Sequence, residues 1–121
     1  MPASEPIELT PNNLSTELKA KLNAVSTATL TGQLQNRGIR STFLSGLRPI
    51  KEGQRMVGVA HTLRYVPMRE DLRSTLLAGQ NAQRRAIEGL QPDEVLVIEA
   101  RGEPDAGTIG DIFAMRALQL G

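Results

Sequence analysis

A chain of 121 residues with 14 basic and 13 acidic side chains, net charge +1, has room for one modest core. It is too evenly charged to be drawn to nucleic acid or anionic lipid by electrostatics alone. The absence of cysteine and the single histidine, His61, exclude disulfides, thiol nucleophiles, zinc clusters and multi-histidine metal centres. The few aromatics, Phe43, Tyr65 and Phe113, argue against a stacking platform for single-stranded nucleic acid. Residues 1–11 carry acids and prolines where a leader would be basic and then apolar, and read as an irregular lead-in. No apolar run approaches the roughly 20 residues of a bilayer span. The expectation is a cytoplasmic protein with no membrane partner and no direct nucleic-acid partner.

Residues 12–121 are expected to form one α/β domain. Asn12 or Asn13 is a candidate cap for a first helix, with Leu14, Leu18, Leu22 and Val25 as its apolar stripe. Ser26 or Thr27 caps a second helix running to about Asn36, with Ala28, Leu30 and Leu34 inward. Gly38 is placed to stop it in a left-handed conformation. Ser41 to Pro49 includes Phe43, Leu44 and Leu47 and leads to the turn Lys51-Glu52-Gly53. Met56 to Val66 alternates as a strand, with Val57, Val59, His61, Leu63 and Tyr65 on one face. Pro67 ends its pairing. Met68 to Gly79 reads as a loop with a short helical piece.

Asn81 to Leu90 is a further helix, with Ala82, Ala86, Ile87 and Leu90 inward and Arg84, Arg85 and Glu88 outward. The run Glu94 to Ala100 is the strongest strand. Its unbroken Val-Leu-Val-Ile core predicts burial on both faces, as in a parallel or mixed sheet flanked by helices. A loop follows, and Gly110 to Leu120 forms a last helix, apolar on most sides and expected to be largely buried. Strands and helices in this order make an α/β pattern. A buried strand and crossover helix ordinarily return through a parallel neighbour, so the chain reads as truncated, or as completed by a partner.

The chemistry concentrates at Gly107-Thr108-Ile109-Gly110-Asp111. Glycines let backbone approach a ligand closely. The first turn of a helix offers unpaired N–H groups and a positive dipole end to a carboxylate or phosphate. Open α/β sheets bind ligands beyond the carboxyl ends of their strands. Asp111 adds a carboxylate able to hold a water or move a proton. The alternative is a simple cap, with Asp111 accepting from backbone N–H groups. The glycine spacing matches neither a dinucleotide fingerprint nor a P-loop. His61 is read as a satisfied, partly buried histidine. Arg64 and Arg69-Glu70-Asp71 are read as solvated charges, and Arg84-Arg85 as an exposed helix face.

Four stretches together resemble one family: Ser26-Thr27-Ala28-Thr29-Leu30-Thr31, Gly58-Val59-Ala60-His61-Thr62-Leu63, Val95-Leu96-Val97-Ile98, and above all Ala106 to Ala114 followed by Gly121. The likeness, from about Leu14 onward, is to the N-terminal half of the family that unites regulator of ribonuclease activity A with 4-hydroxy-4-methyl-2-oxoglutarate aldolases. It implies a layered α/β/β/α sandwich assembled as a homotrimer or hexamer. It implies a divalent-metal-dependent lyase of the class II aldolase type acting on 4-hydroxy-2-oxo acids, with oxaloacetate decarboxylation as a related activity. The alternative within the family is a non-enzymatic regulator that binds a ribonuclease. By position, Asp111 is the active-site carboxylate, and Gly110, Asp111, Ile112 and Phe113 cradle the pyruvyl part of a small 2-oxo acid. Phe113 stands where leucine is more usual. The family's Arg-Asp pair, whose Arg binds substrate and whose Asp helps hold Mg²⁺ or Mn²⁺, would fall past Gly121, so the resemblance gives this chain no metal ligand.

Overall fold

The computed structural model describes residues 14–79 and 81–121. The lead-in and the candidate caps Asn12 and Asn13 lie outside the described residues. The chain divides into two compact units, 1–57 and 58–121.

In the first unit, α1 runs Thr16–Ala24 and α2 runs Thr27–Asn36. The N-cap of α1 is Ser15, not an asparagine: its Oγ accepts from Leu18 N–H at 3.1 Å. Ser26 caps α2 in the same way, through Thr29 N–H at 3.1 Å. Each hydroxyl takes up one of the N–H groups that a helix start leaves without a partner. Gly38 follows α2 at φ +78°, the left-handed stop that its position predicts. Leu14, Leu22, Val25, Leu30 and Leu34 are half-buried, while Leu18 and Ala28 are exposed. At the far end of the unit the Arg55 guanidinium donates to the carbonyls of Leu22 (2.8 Å) and Val25. It thereby satisfies carbonyls at the end of α1 that have no helical partner.

The second unit carries the sheet. Strand β1, Val59–Arg64, and strand β2, Glu94–Glu99, pair in parallel, with Val59 opposite Glu94 and Arg64 opposite Glu99. Between them lie a 3₁₀ turn at Glu70–Leu72, the short helix α3 at Arg73–Leu77, and α4 at Ala82–Glu88. The last helix, α5, runs Asp111–Leu120. This is the α/β class read from the sequence, with the predicted short helical piece between the strand and α4.

Three packing features are specific. Ile87 is fully buried and Leu90 nearly so, which makes the end of α4 the centre of the core. On β1, Val59, His61 and Leu63 are half-buried and alternate with exposed Ala60, Thr62 and Arg64, the period-2 pattern of a strand with one wet face. Gly58 lies so close to β2 that a Cβ there would stand 2.5 Å from the Asp93 carbonyl oxygen and 2.8 Å from Val95 Cγ2. β1, at Val59–Arg64, is shorter than the predicted 56–66.

Two expectations of burial are corrected. All of Glu94 to Ile98 is half-buried rather than enclosed on both faces, because the described sheet has only two strands. The last helix has no buried residue. Ile112, Met115 and Leu118 are 79%, 56% and 74% exposed, since α5 packs through its other side, where Phe113, Arg116, Ala117 and Leu120 are half-buried. Ala82, expected inward on α4, is also exposed.

Candidate functional site

The candidate site lies where β2 hands over to α5. After Glu99 the chain turns on Arg101 (φ +59°) and Gly102 (φ +71°), closed by Glu103 N–H to the Ala100 carbonyl at 3.1 Å. Two successive left-handed residues are the signature of a tight type I′ turn. A second turn at Pro104-Asp105, closed by Ala106 N–H to the Glu103 carbonyl at 3.3 Å, leads on to Gly110, the N-cap of α5, whose backbone (φ −101°, ψ 173°) lies in the β region.

Gly110, Asp111, Ile112 and Phe113 form the opening turn of α5. The first rung of the helix runs from Ala114 N–H to the Gly110 carbonyl at 2.9 Å. The N–H groups of Asp111, Ile112 and Phe113 therefore precede the ladder. Asp111 Oδ1 accepts from Ile112 N–H at 2.9 Å, and no side chain caps the helix from Gly110. The carboxylate thus takes one of the three early donors, as a negative charge in a first turn should, and leaves those of Asp111 and Phe113. Asp111 is exposed, and it lines an open hollow of about 390 Å³ with Ile112, Met115, Arg116 and Gln119.

Cations stand beside this turn. Arg116, one turn into α5, grips Glu88 of α4 through Nε (3.1 and 3.2 Å) and Nη2 (2.7 Å). The forked geometry suits a guanidinium and a carboxylate, and it holds the Glu88 carboxyl below its ordinary range. Arg84, one turn earlier on α4, shares a hollow of about 440 Å³ with Glu88, Ile112, Phe113 and Arg116.

Two residues that carry no functional signal in the sequence hold the loop. The Tyr65 hydroxyl donates to the Thr108 carbonyl at 2.9 Å, and Gln83 Nε2 donates to the same oxygen at 2.8 Å. Burial pushes the Tyr65 phenol above its usual value. Tyr65 was legible only as an inward position of a strand, and Gln83 only as one residue of a helix. Their convergence depends on β1, α4 and the loop meeting in space. Both also line an open groove of about 570 Å³ between the end of β1, α3 and α4.

The remaining singled-out residues are structural. His61 Nδ1 lies 3.0 Å from Glu94 Oε2, and the same oxygen accepts from Gln91 N–H at 2.9 Å. The histidine is satisfied and partly buried, as expected. Those contacts, the Gln91 N–H first and the imidazole second, hold the Glu94 carboxyl below its ordinary value. Arg64 pairs with Glu99 across the strands at 2.8 Å, and Arg69 pairs with Asp71, all on exposed surface.

Among the described residues no group of three or more His, Cys, Asp or Glu side chains comes together to hold a metal ion. No described helix is long and apolar enough to cross a membrane.

No curated protein and no solved structure matches the chain. The family model described as RraA-like, Aldolase/RraA, matches residues 27–121, a span that takes in both strands, the core of α4 and the whole of the Gly107–Phe113 segment. The chain belongs to the RraA-like family.

Proposed function

We propose that the opening turn of α5 binds the carboxylate of a small 2-oxo acid, as part of a divalent-metal-dependent lyase. The reaction class is that of a class II aldolase acting on 4-hydroxy-2-oxo acids, with oxaloacetate decarboxylation as a related activity. The observation that carries this reading is the turn itself. An extended glycine leads into a helix whose Asp111 and Phe113 N–H groups precede the backbone ladder, beside an exposed carboxylate.

Cleaving a carbon–carbon bond next to a 2-oxo acid leaves a pyruvate enolate, for which Mg²⁺ or Mn²⁺ supplies the electron sink when bound. The described residues do not assemble a ligand set for such an ion. What the chain's own residues do is narrower. The N–H groups of Asp111 and Phe113 orient the substrate carboxylate, helped by the helix dipole. The Ile112 N–H fixes Asp111 Oδ1, which leaves Oδ2 to hold a water and pass a proton to or from the enolate carbon. Arg84 and the Arg116–Glu88 ion pair lie beside the turn. The same reading takes the fold as the α/β/β/α sandwich and the assembly as a homotrimer or hexamer. The exposed stripe Ile112, Met115 and Leu118 supports an assembled state.

The test is oxaloacetate decarboxylation by the full-length protein, with and without Mg²⁺. We expect metal-dependent turnover that falls on the order of 10²-fold or more in Asp111→Ala, the scale of a lost acid–base group. Turnover indifferent to Asp111→Ala would sink the assignment. Absence of turnover together with tight binding to a ribonuclease would place the chain on the regulatory side of its family.

A further inference from the structure

The loop between β2 and α5 is fastened at both ends by one residue. Tyr65, just past β1, donates its backbone N–H to the Glu99 carbonyl at 2.8 Å, where the loop begins. Its hydroxyl reaches the Thr108 carbonyl at 2.9 Å, where the loop nears its end. Gln83, on the first turn of α4, adds a second donor to that same oxygen at 2.8 Å. A carbonyl oxygen only accepts, so the Gln83 amide must present its nitrogen.

The loop has little else at this point. Gly107 and Gly110 flank the segment, and a Cβ on either would meet nothing within 4 Å. Glycines without packing neighbours carry the largest conformational freedom of any residue. The peptide between them is therefore set by the two hydrogen bonds to Thr108.

Resting on the carboxylate-binding reading of the turn, we propose that Tyr65 and Gln83 are positioning residues. By sharing the Thr108 carbonyl they hold the Gly107–Gly110 loop so that the N–H groups opening α5 meet the ligand. Two donors on one acceptor have a consequence that a single contact would not. Loss of either leaves the half-buried carbonyl with a partner, whereas loss of both leaves it without one, so the double variant must exceed the two singles combined.

The experiment uses the full chain in five forms: wild type, Tyr65→Phe, Gln83→Leu, the double variant and Gln83→Glu. Hydrogen exchange is read across residues 100–113, and pyruvate binding is measured by calorimetry. Each single change should speed exchange in the loop about five-fold, the scale of one net hydrogen bond. The double variant should exceed the product of the two. Amides of β2 and α4 should keep their wild-type rates, and pyruvate should weaken in the same order.

Gln83→Glu keeps size and shape but sets a carboxylate against a carbonyl. Its pyruvate affinity should fall at neutral pH and return toward wild type as acid protonates the side chain, a reversal that lost packing would not give. Loop exchange unchanged in the double variant, or loosening spread evenly over the whole unit, overturns the clamp. Loosening as described in a protein whose wild type binds no pyruvate overturns the carboxylate reading, and the positioning role falls with it.

Discussion

Replacing Gly58 by alanine tests the packing that sets the strand register. The added Cβ would sit 2.5 Å from the Asp93 carbonyl oxygen and 2.8 Å from Val95 Cγ2, where ordinary contact begins at 3.4 Å. The oxygen that must withdraw is also the acceptor for Val59 N–H at 3.0 Å, beside the first paired residues of the sheet. Overpacking of this kind costs about 1–3 kcal/mol, and the strained hydrogen bond adds about 0.5–1.5 kcal/mol. The reduced freedom of the unfolded chain returns about 0.4–1 kcal/mol. The net expectation is a loss of about 0.5–4 kcal/mol, at roughly 4–8 °C in Tm per kcal/mol for a unit of this size. Thermal and urea melts followed by far-UV circular dichroism measure it. Gly79→Ala is the control, because a Cβ there meets nothing within 4 Å, and it should melt at or above wild type. If Gly58→Ala melts with wild type, or both variants fall together, the close approach does not limit the fold.

Tyr65 is the chain's only tyrosine, so absorbance at 295 nm follows its ionisation directly. Burial raises its pKa; the associated stability is complete below the ordinary value near 10 and lost as pH rises through the higher folded value. A midpoint at or below that of free tyrosine would contradict the half-buried phenol. The Glu94 carboxyl is depressed by Gln91 N–H and His61, so its contribution is present above the ordinary carboxylate range and lost as pH falls through the lower folded value. Glu94→Gln should flatten the acid limb of the stability–pH curve, and an unchanged slope would assign that limb to other groups. Ser26→Ala should cost α2 about 1 kcal/mol, because it removes the acceptor for Thr29 N–H. Ser26→Asp should recover most of that loss in denaturant melts, and equal melts for all three forms would deny the cap.

The local parts of the fold were legible because their causes are local. Ser26 before an apolar repeat, Gly38 after it, the alternation through His61 and the run from Glu94 each carry their own physical reason, and each stands where the sequence puts it. The sequence places the start of α1 too early, since Asn12, Asn13 and Ser15 are all competent caps and only the backbone decides among them. Composition overstated the burial of α5. Apolar residues say that a surface wants a neighbour, not that the neighbour is there, and Ile112, Met115 and Leu118 face outward. The candidate turn was legible as glycines followed by Asp111. Its fastening by Tyr65 and Gln83 was not, because the donors and their acceptor come from three separate segments. The crowding at Gly58 was hidden for the same reason, since the atoms that exclude a side chain belong to Asp93 and Val95.

The parallel pairing of β1 with β2 also dictates an order of assembly. A parallel pair cannot begin as a hairpin, and here Val59 must find Glu94 with α3 and α4 still to be placed between them. Closing so long a segment costs chain entropy before any rung forms. The deepest compensating burial in the unit is that of Ile87 and Leu90, at the end of α4. The loop to α5 can be fastened only afterwards, because Tyr65 and Gln83 are not in position until β1 and α4 are. The two hydrogen bonds that hold the loop before α5 thus exist only once β1 and α4 are in place.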